Sequence, residues 1–235
     1  MLLQILTYTH RLTTMLFGIF LSAFFLGVKQ NKKNVCILLG GGAVSGLFFL
    51  ICNTVFGSLF TEAVYPIFVH LPLFLLLVFY YRFRWLPSII SIMTAYLCCQ
   101  FSNWAGIFAL SLSGLDWVYY LVRIIVTVAV FAFLSRYLCQ TTALLFAKSD
   151  RELYILGAMP FVYYVFDYST TKFSMLLYSG NKVVVEFLAF AMCISYVIFL
   201  FVYFQEYELK NRAEQYGQLT NMHLNSLHSE IEQVR

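Results

Sequence analysis

Four ionisable side chains interrupt stretches that are otherwise apolar: His70, Arg123, Asp167 and Glu186, with the amides of Asn53 and Asn103 in similar surroundings. A charge carried into hydrocarbon costs about 2.5–3.5 kcal/mol on insertion scales, so each group implies a partner, a wet space or a ligand. One cation and two carboxylates allow two kinds of chemistry. Arg123 can pair with Asp167 or Glu186 and fix the register of neighbouring helices, or the set can line a polar pocket that receives a ligand. His70 lies between Pro66 and Pro72, which loosen the helix carrying it, although a lone histidine at this depth is more often a packing residue. Catalytic motifs are thin. The chain has no H-E-x-x-H, no G-x-S-x-G and no Walker lysine loop, which disfavours a membrane hydrolase or an ATP-driven pump. Gly42-Ala-Val-Ser45-Gly46 has Ala43 where an intramembrane serine protease wants glycine, and reads as a G-x-x-x-G packing face. Cys36, Cys52, Cys98, Cys99, Cys139 and Cys193 form no C-x-x-C and read as buried small residues, with no disulfide framework and no metal site expected.

The elements that must position these residues follow from composition. Apolar residues make up 61% of the 235 and charged ones only 11%, against about 45–50% and 25% in soluble domains. That excludes a nucleic-acid-binding domain, a soluble Rossmann or barrel enzyme and a disordered scaffold. Seven stretches are near the roughly 20 residues a spanning helix needs: Leu12–Val28, Val35–Phe56, Ala63–Tyr81, Leu86–Leu110, Asp116–Tyr137, Leu153–Thr171 and Val183–Phe204. They are continuous rather than alternating, so a β-barrel is excluded. The expected fold is all-α: a polytopic bundle of about seven transmembrane helices over 1–204, followed by a helix over 205–235. Leu12–Val28 has a weak basic flank and no small-residue cleavage site, so it reads as a retained helix and not a signal peptide.

Basic residues set the orientation. Lys29, Lys32, Lys33, Arg82, Arg84, Arg136, Lys148, Arg151, Lys210, Arg212 and Arg235 fall on one side of a seven-span chain, and Arg11, Lys172 and Lys182 on the other. This puts the N-terminus outside and the tail in the cytoplasm of a multi-pass plasma-membrane protein. Six spans would break the alternation. His70 and Arg123 then lie about seven residues, or roughly 10 Å, inside helices entering from outside. Asp167, Glu186, Asn53 and Asn103 also fall towards the outer ends, and the inner halves carry no charge.

After Phe204 the composition changes. Ala213, Tyr216, Thr220, Leu224, Leu227, Ile231 and Val234 recur at spacings of three and four, a heptad stripe with one eleven-residue step. Five acids against three bases in 205–235 argue against a helix lying on the membrane. A parallel homodimeric coiled coil is expected, its seam formed by Tyr216, Leu224, Leu227, Ile231 and Val234, with Gly217 a soft point. His223 and His228 read as solvated residues of the helix face.

Several apolar helices without a sizeable outer domain, then a helix carrying Tyr216-x-x-Leu219 and Glu230-Ile-Glu-Gln-Val-Arg235, resemble the sensor half of GHKL-type histidine kinases, the peptide-sensing quorum kinases and their relatives. The resemblance covers the chain in outline, its specific residues being confined to the last twenty. It implies a receptor of a two-component system, with ligand-contacting residues among His70, Asn103, Arg123, Asp167 and Glu186. In that family a phosphorylated histidine and an ATP-binding domain follow such a segment. The chain stops short of both, as a truncated form would. No catalytic residue is therefore expected within it, and ATP and Mg²⁺ belong only to the kinase part. The implied partners are a second copy of the chain, a response regulator reached through the kinase, the bilayer, and an extracellular small molecule or peptide, with no nucleic acid. Rival readings are a membrane subunit of a small-molecule transporter and a membrane scaffold.

Overall fold

The computed structural model describes residues 2–57, 60–61, 64–173 and 182–234, with side chains over the same residues except 65, 168–173, 182–185 and 229–234. Lys172, Lys182, Ile231 and Val234 are thus outside the described side chains. Among the described residues the regular structure is entirely helical. In chain order it comprises α1 (Leu2–Phe25), α2 (Lys32–Phe56), α3 (Tyr65–Leu75) continued by a π turn (Leu76–Tyr80), α4 (Trp85–Cys98), α5 (Gln100–Ser113), α6 (Asp116–Tyr137), α7 (Cys139–Phe146), α8 (Asp150–Phe173) and α9 (Lys182–Val234). Local chemistry sets several ends. Asn31 caps α2, its Oδ1 accepting the Asn34 N–H at 2.8 Å. Gly114, at φ 65°, closes α5 in the left-handed conformation that glycine adopts without strain.

Four of these stretches are long and apolar enough to cross a membrane: Lys32–Phe56, Trp85–Ser113, Asp116–Tyr137 and, within α9, Glu186–His228. Pro66–Tyr80 is apolar but shorter. The expected span Leu86–Leu110 falls within Trp85–Ser113, with a turn at Cys99 between α4 and α5. Two sequence expectations need correction. The first helix starts at Leu2, ten residues before the apolar run, because nothing in 2–11 breaks a helix. The segment from Cys139 to Phe146, expected as a loop, is α7; Cys139, Thr142, Leu145 and Phe146 recur on one face and are buried there.

Two compact units divide the chain, Met1–Tyr196 and Val197–Arg235. In the first, α1 lies against α2, α4, α6 and α7. Its Phe17, Phe20 and Phe24 recur at three- and four-residue spacing, and the Phe131 ring of α6 sits among them at centroid distances of 6.2, 6.4 and 6.2 Å. Small residues allow the closest approaches, as expected where lipid supplies no hydrophobic drive between helices. Ser91 of α4 donates to the Ser22 carbonyl of α1 at 2.5 Å. Gly157 of α8 faces Ile90 of α4, where an added Cβ would come within 2.6 Å of Cγ1. Gly42 and Gly46 face Met15 on α1, and Gly42 also Ile19 and Leu16, the packing role expected of that stripe. Val44, Leu47, Ile51 and Val55 point away from the bundle on α2, as side chains meeting acyl chains would.

At one end, Arg84 joins two loops. Its Nη1 donates to Asp150 Oδ1 at 2.8 Å and its Nη2 to the Lys148 carbonyl at 2.5 Å. Both charged groups are about half exposed, so the pair contributes little stability. It does place the loop before α4 and the loop before α8 together.

The second unit is helical to Val234, and Gly217 does not interrupt it. Leu209, Tyr216, Leu219, Met222, Leu224 and Leu227 are all more than half exposed.

Candidate functional site

A cavity of about 710 Å³ lies within the first unit and is lined from seven helices. All five residues proposed from sequence as ligand contacts, His70, Asn103, Arg123, Asp167 and Glu186, line it; Asn53 does not. Counting along α4 from Arg84 to Tyr96, and along α8 from Asp150 to Asp167, the cavity is roughly 18–25 Å from the Arg84–Asp150 pair at 1.5 Å per residue. The polar residues therefore gather towards the opposite end of the bundle.

The turn at Cys99 belongs to the cavity wall. Tyr96, Cys99, Gln100 and Asn103 recur at spacings of three, one and three, and all four face the cavity across the junction of α4 and α5. Such interruptions in a helix commonly mark functional positions. Two of these residues hold the carboxylates. Tyr96 Oη donates to Asp167 Oδ2. Asn103 Nδ2 donates to Glu186 Oε2 at 2.8 Å and to Gln100 Oε1 at 3.1 Å.

His70 comes from α3, where Pro72 removes a backbone donor and the helix widens into the π turn at Leu76. Its Nδ1 is 2.8 Å from Tyr164 Oη, and its ring lies 5.7 Å from that of Tyr96 and 5.5 Å from that of Tyr164. The three rings form an aromatic cluster, which Tyr96 joins to Asp167.

Arg123 stands on α6. Its Nη1 donates to Tyr119 Oη one turn earlier, and its guanidinium carbon is 5.2 Å from the centre of that ring. The aliphatic stem crosses α5 at Gly106, where an added Cβ would come within 2.3 Å of Arg123 Cγ. The pairing with Asp167 or Glu186, one of the two readings of the sequence, is not made: among the described residues no carboxylate is within 4.0 Å of Arg123. The stem is pinned against α5 and the head is turned to Tyr119. Its buried Nε has no hydrogen-bond partner among the described residues, a cost of about 1–3 kcal/mol, and more for a charged group.

No protein-family model matches this chain, and no curated protein or solved structure matches it. The meaning of the cavity rests on its own geometry. Among the described residues no cluster of three or more His, Cys, Asp or Glu is placed to hold a metal ion. A cation, Arg123, and two carboxylates, Asp167 and Glu186, line this one cavity.

Several wall residues escaped the sequence reading. Tyr119 and Arg123 are one turn apart, and the stripe from Tyr96 to Asn103 was written in the spacing. With 17 tyrosines in the chain, no single one stood out. His10, read as a weak flank, is buried, with its ring 5.8 Å from Tyr120. Trp104, next to Asn103, stacks on Phe190 of α9 at 4.5 Å and 17°.

Proposed function

We propose that this chain is the membrane receptor module of a sensor histidine kinase of the GHKL kind. Seven spans run with the N-terminus outside and the tail in the cytoplasm. The observation that carries the reading is the double role of α9. It supplies Glu186 to the cavity and continues to Val234, with Tyr216, Leu224 and Leu227 exposed. Large apolar side chains at heptad spacing on a solvated helix seek a partner helix, and a second copy satisfies them in register. A ligand that changes how α9 packs at Glu186 then biases the dimer, which biases a kinase downstream. A transporter subunit would share the cavity but would leave the exposed stripe without a role.

The test is phosphate transfer. The gene is read past Arg235, and the protein it encodes is incubated in nanodiscs with ATP labelled on the γ-phosphate. Acid-labile phosphate on histidine is expected. Its absence, together with uptake of labelled solutes by vesicles containing the protein, would replace the receptor with the transporter. Orientation has its own check. A reporter active only in the cytoplasm should be active when fused after Arg235 and inactive when fused before Leu2; the reverse pattern would invert the topology.

A further inference from the structure

A second hollow lies towards the Arg84–Asp150 end of the bundle. It is an apolar groove of about 410 Å³ between α4 and α8. Trp85, Ile89 and Met93 form one wall at four-residue spacing, and Tyr154, Ala158 and Phe161 form the other at spacings of four and three. Between the walls, Gly157 lies against Ile90. From Trp85 to Met93 the wall is about 12 Å long at 1.5 Å per residue, most of the ~15 Å depth of one leaflet's hydrocarbon. Trp85, Tyr154 and Phe161 are each more than half exposed, so the groove opens outwards from the bundle. Around a chain with four stretches able to cross a membrane, what lies outside is lipid.

The charges gather at one mouth of the groove. Arg84 pairs with Asp150, and Lys148 Nζ is 3.4 Å from Glu152 Oε1. These pairs cancel and leave Arg82 and Arg151, both exposed. Among the described residues neither arginine makes an ion pair. Arg82 is two residues from Arg84 and Arg151 is next to Asp150, so the bond between the loops brings both to the same mouth. Arg151 also precedes Tyr154 by three residues, on the helix face that carries Tyr154, Ala158 and Phe161. Trp85 and Tyr154, in the opening turns of α4 and α8, are side chains of the kind that settle at headgroup level.

A second copy docked here by a two-fold axis would bring Arg82 and Arg151 towards their own counterparts. Phosphatidylcholine would set a permanent cation beside them. A lipid of net negative charge meets both the apolar walls and the basic mouth. We propose that this groove is a binding site for an anionic phospholipid: one acyl chain lies between α4 and α8, and the phosphate is met by Arg82 and Arg151. Arginine suits the mouth because a guanidinium meets a phosphate with two parallel N–H donors. The site depends on the helices spanning a bilayer and not on the receptor reading.

The full chain is purified in detergent and offered equal amounts of phosphatidylglycerol and phosphatidylcholine with matched acyl chains. Intact complexes are weighed by mass spectrometry, and each retained lipid is released and identified. The first lipid retained is expected to be phosphatidylglycerol over phosphatidylcholine by about tenfold, and Arg151→Gln should cut that preference about fivefold, the usual worth of one basic residue near an anionic surface. Lys33→Gln, the same loss of charge at the exposed start of α2, should leave it unchanged. Ala158→Phe fills the groove without altering charge and should abolish the preference. Equal retention of the two lipids by the wild-type protein would overturn the site. So would a preference that survives both Arg151→Gln and Ala158→Phe, or one that Lys33→Gln lowers as much as Arg151→Gln, since either would trace it to general surface charge. A dimer that Ala158→Phe splits would give the groove to a second copy. The wild-type comparison needs no variant to fold, and none of these outcomes bears on phosphate transfer.

Discussion

At the residue scale, the decisive contact is between a side chain and a missing one. Gly106 leaves room for the Arg123 stem, and a methyl group there would need Cγ to move from 2.3 Å. Gly106→Ala should therefore destabilise the protein by about 1–3 kcal/mol, the usual cost of overpacking. Denaturant titration in mixed micelles measures it. In an Arg123→Ala background the same change should cost much less, with only Tyr119 Cδ2 at 3.2 Å left in the way, so strictly additive losses would show that the two do not meet. The His70–Tyr164 hydrogen bond invites a second cycle. His70→Phe and Tyr164→Phe should couple by about 0.5–1.5 kcal/mol, and a coupling near zero would remove the bond from the account. The charged members of this site were legible because hydrocarbon makes ionisable groups rare. Their partners were not, because a tyrosine in an aromatic-rich helix carries no mark of which face it will show.

At the scale of elements, close approach is bought with small residues. Gly157 lets α8 meet α4 at Ile90. Gly157→Ala should lower the thermal midpoint, and Ile90→Ala on top of it should restore part of the loss by vacating the space the new methyl needs. A double variant less stable than either single one would mean the helices touch elsewhere. Long apolar runs made most helices readable. The turn at Cys99 escaped because neither proline nor glycine marks it: the backbone tightens there through a Cys99 N–H bond to the Tyr96 carbonyl. α7 escaped because its eight residues are far shorter than a span and its buried face is short.

For the whole molecule, the exposed stripe on the tail makes oligomeric state the sharpest prediction. Leu227→Glu places a charge in the expected seam. In nanodiscs or detergent it should convert the full chain from dimer to monomer by sedimentation, while the helical content of its circular dichroism stays unchanged. A dimer that survives would move the contact off this face. The all-helical architecture and the gathering of polar groups towards one end were both readable from the chain. A polar pocket was one of two readings of these residues; the lining supplied by α1 was not legible, since no local pattern encodes which helices meet.

The stacking of Trp104 on Phe190 has an optical consequence. Trp85 and Trp117 are both well exposed, so replacing them with phenylalanine leaves one indole, positioned beside the bond between Asn103 and Glu186. Its emission colour and lifetime would then report the separation of α5 and α9 in an unlabelled protein. Occupation of the cavity would be followed by light in real time, before anything is known of the occupant's chemistry.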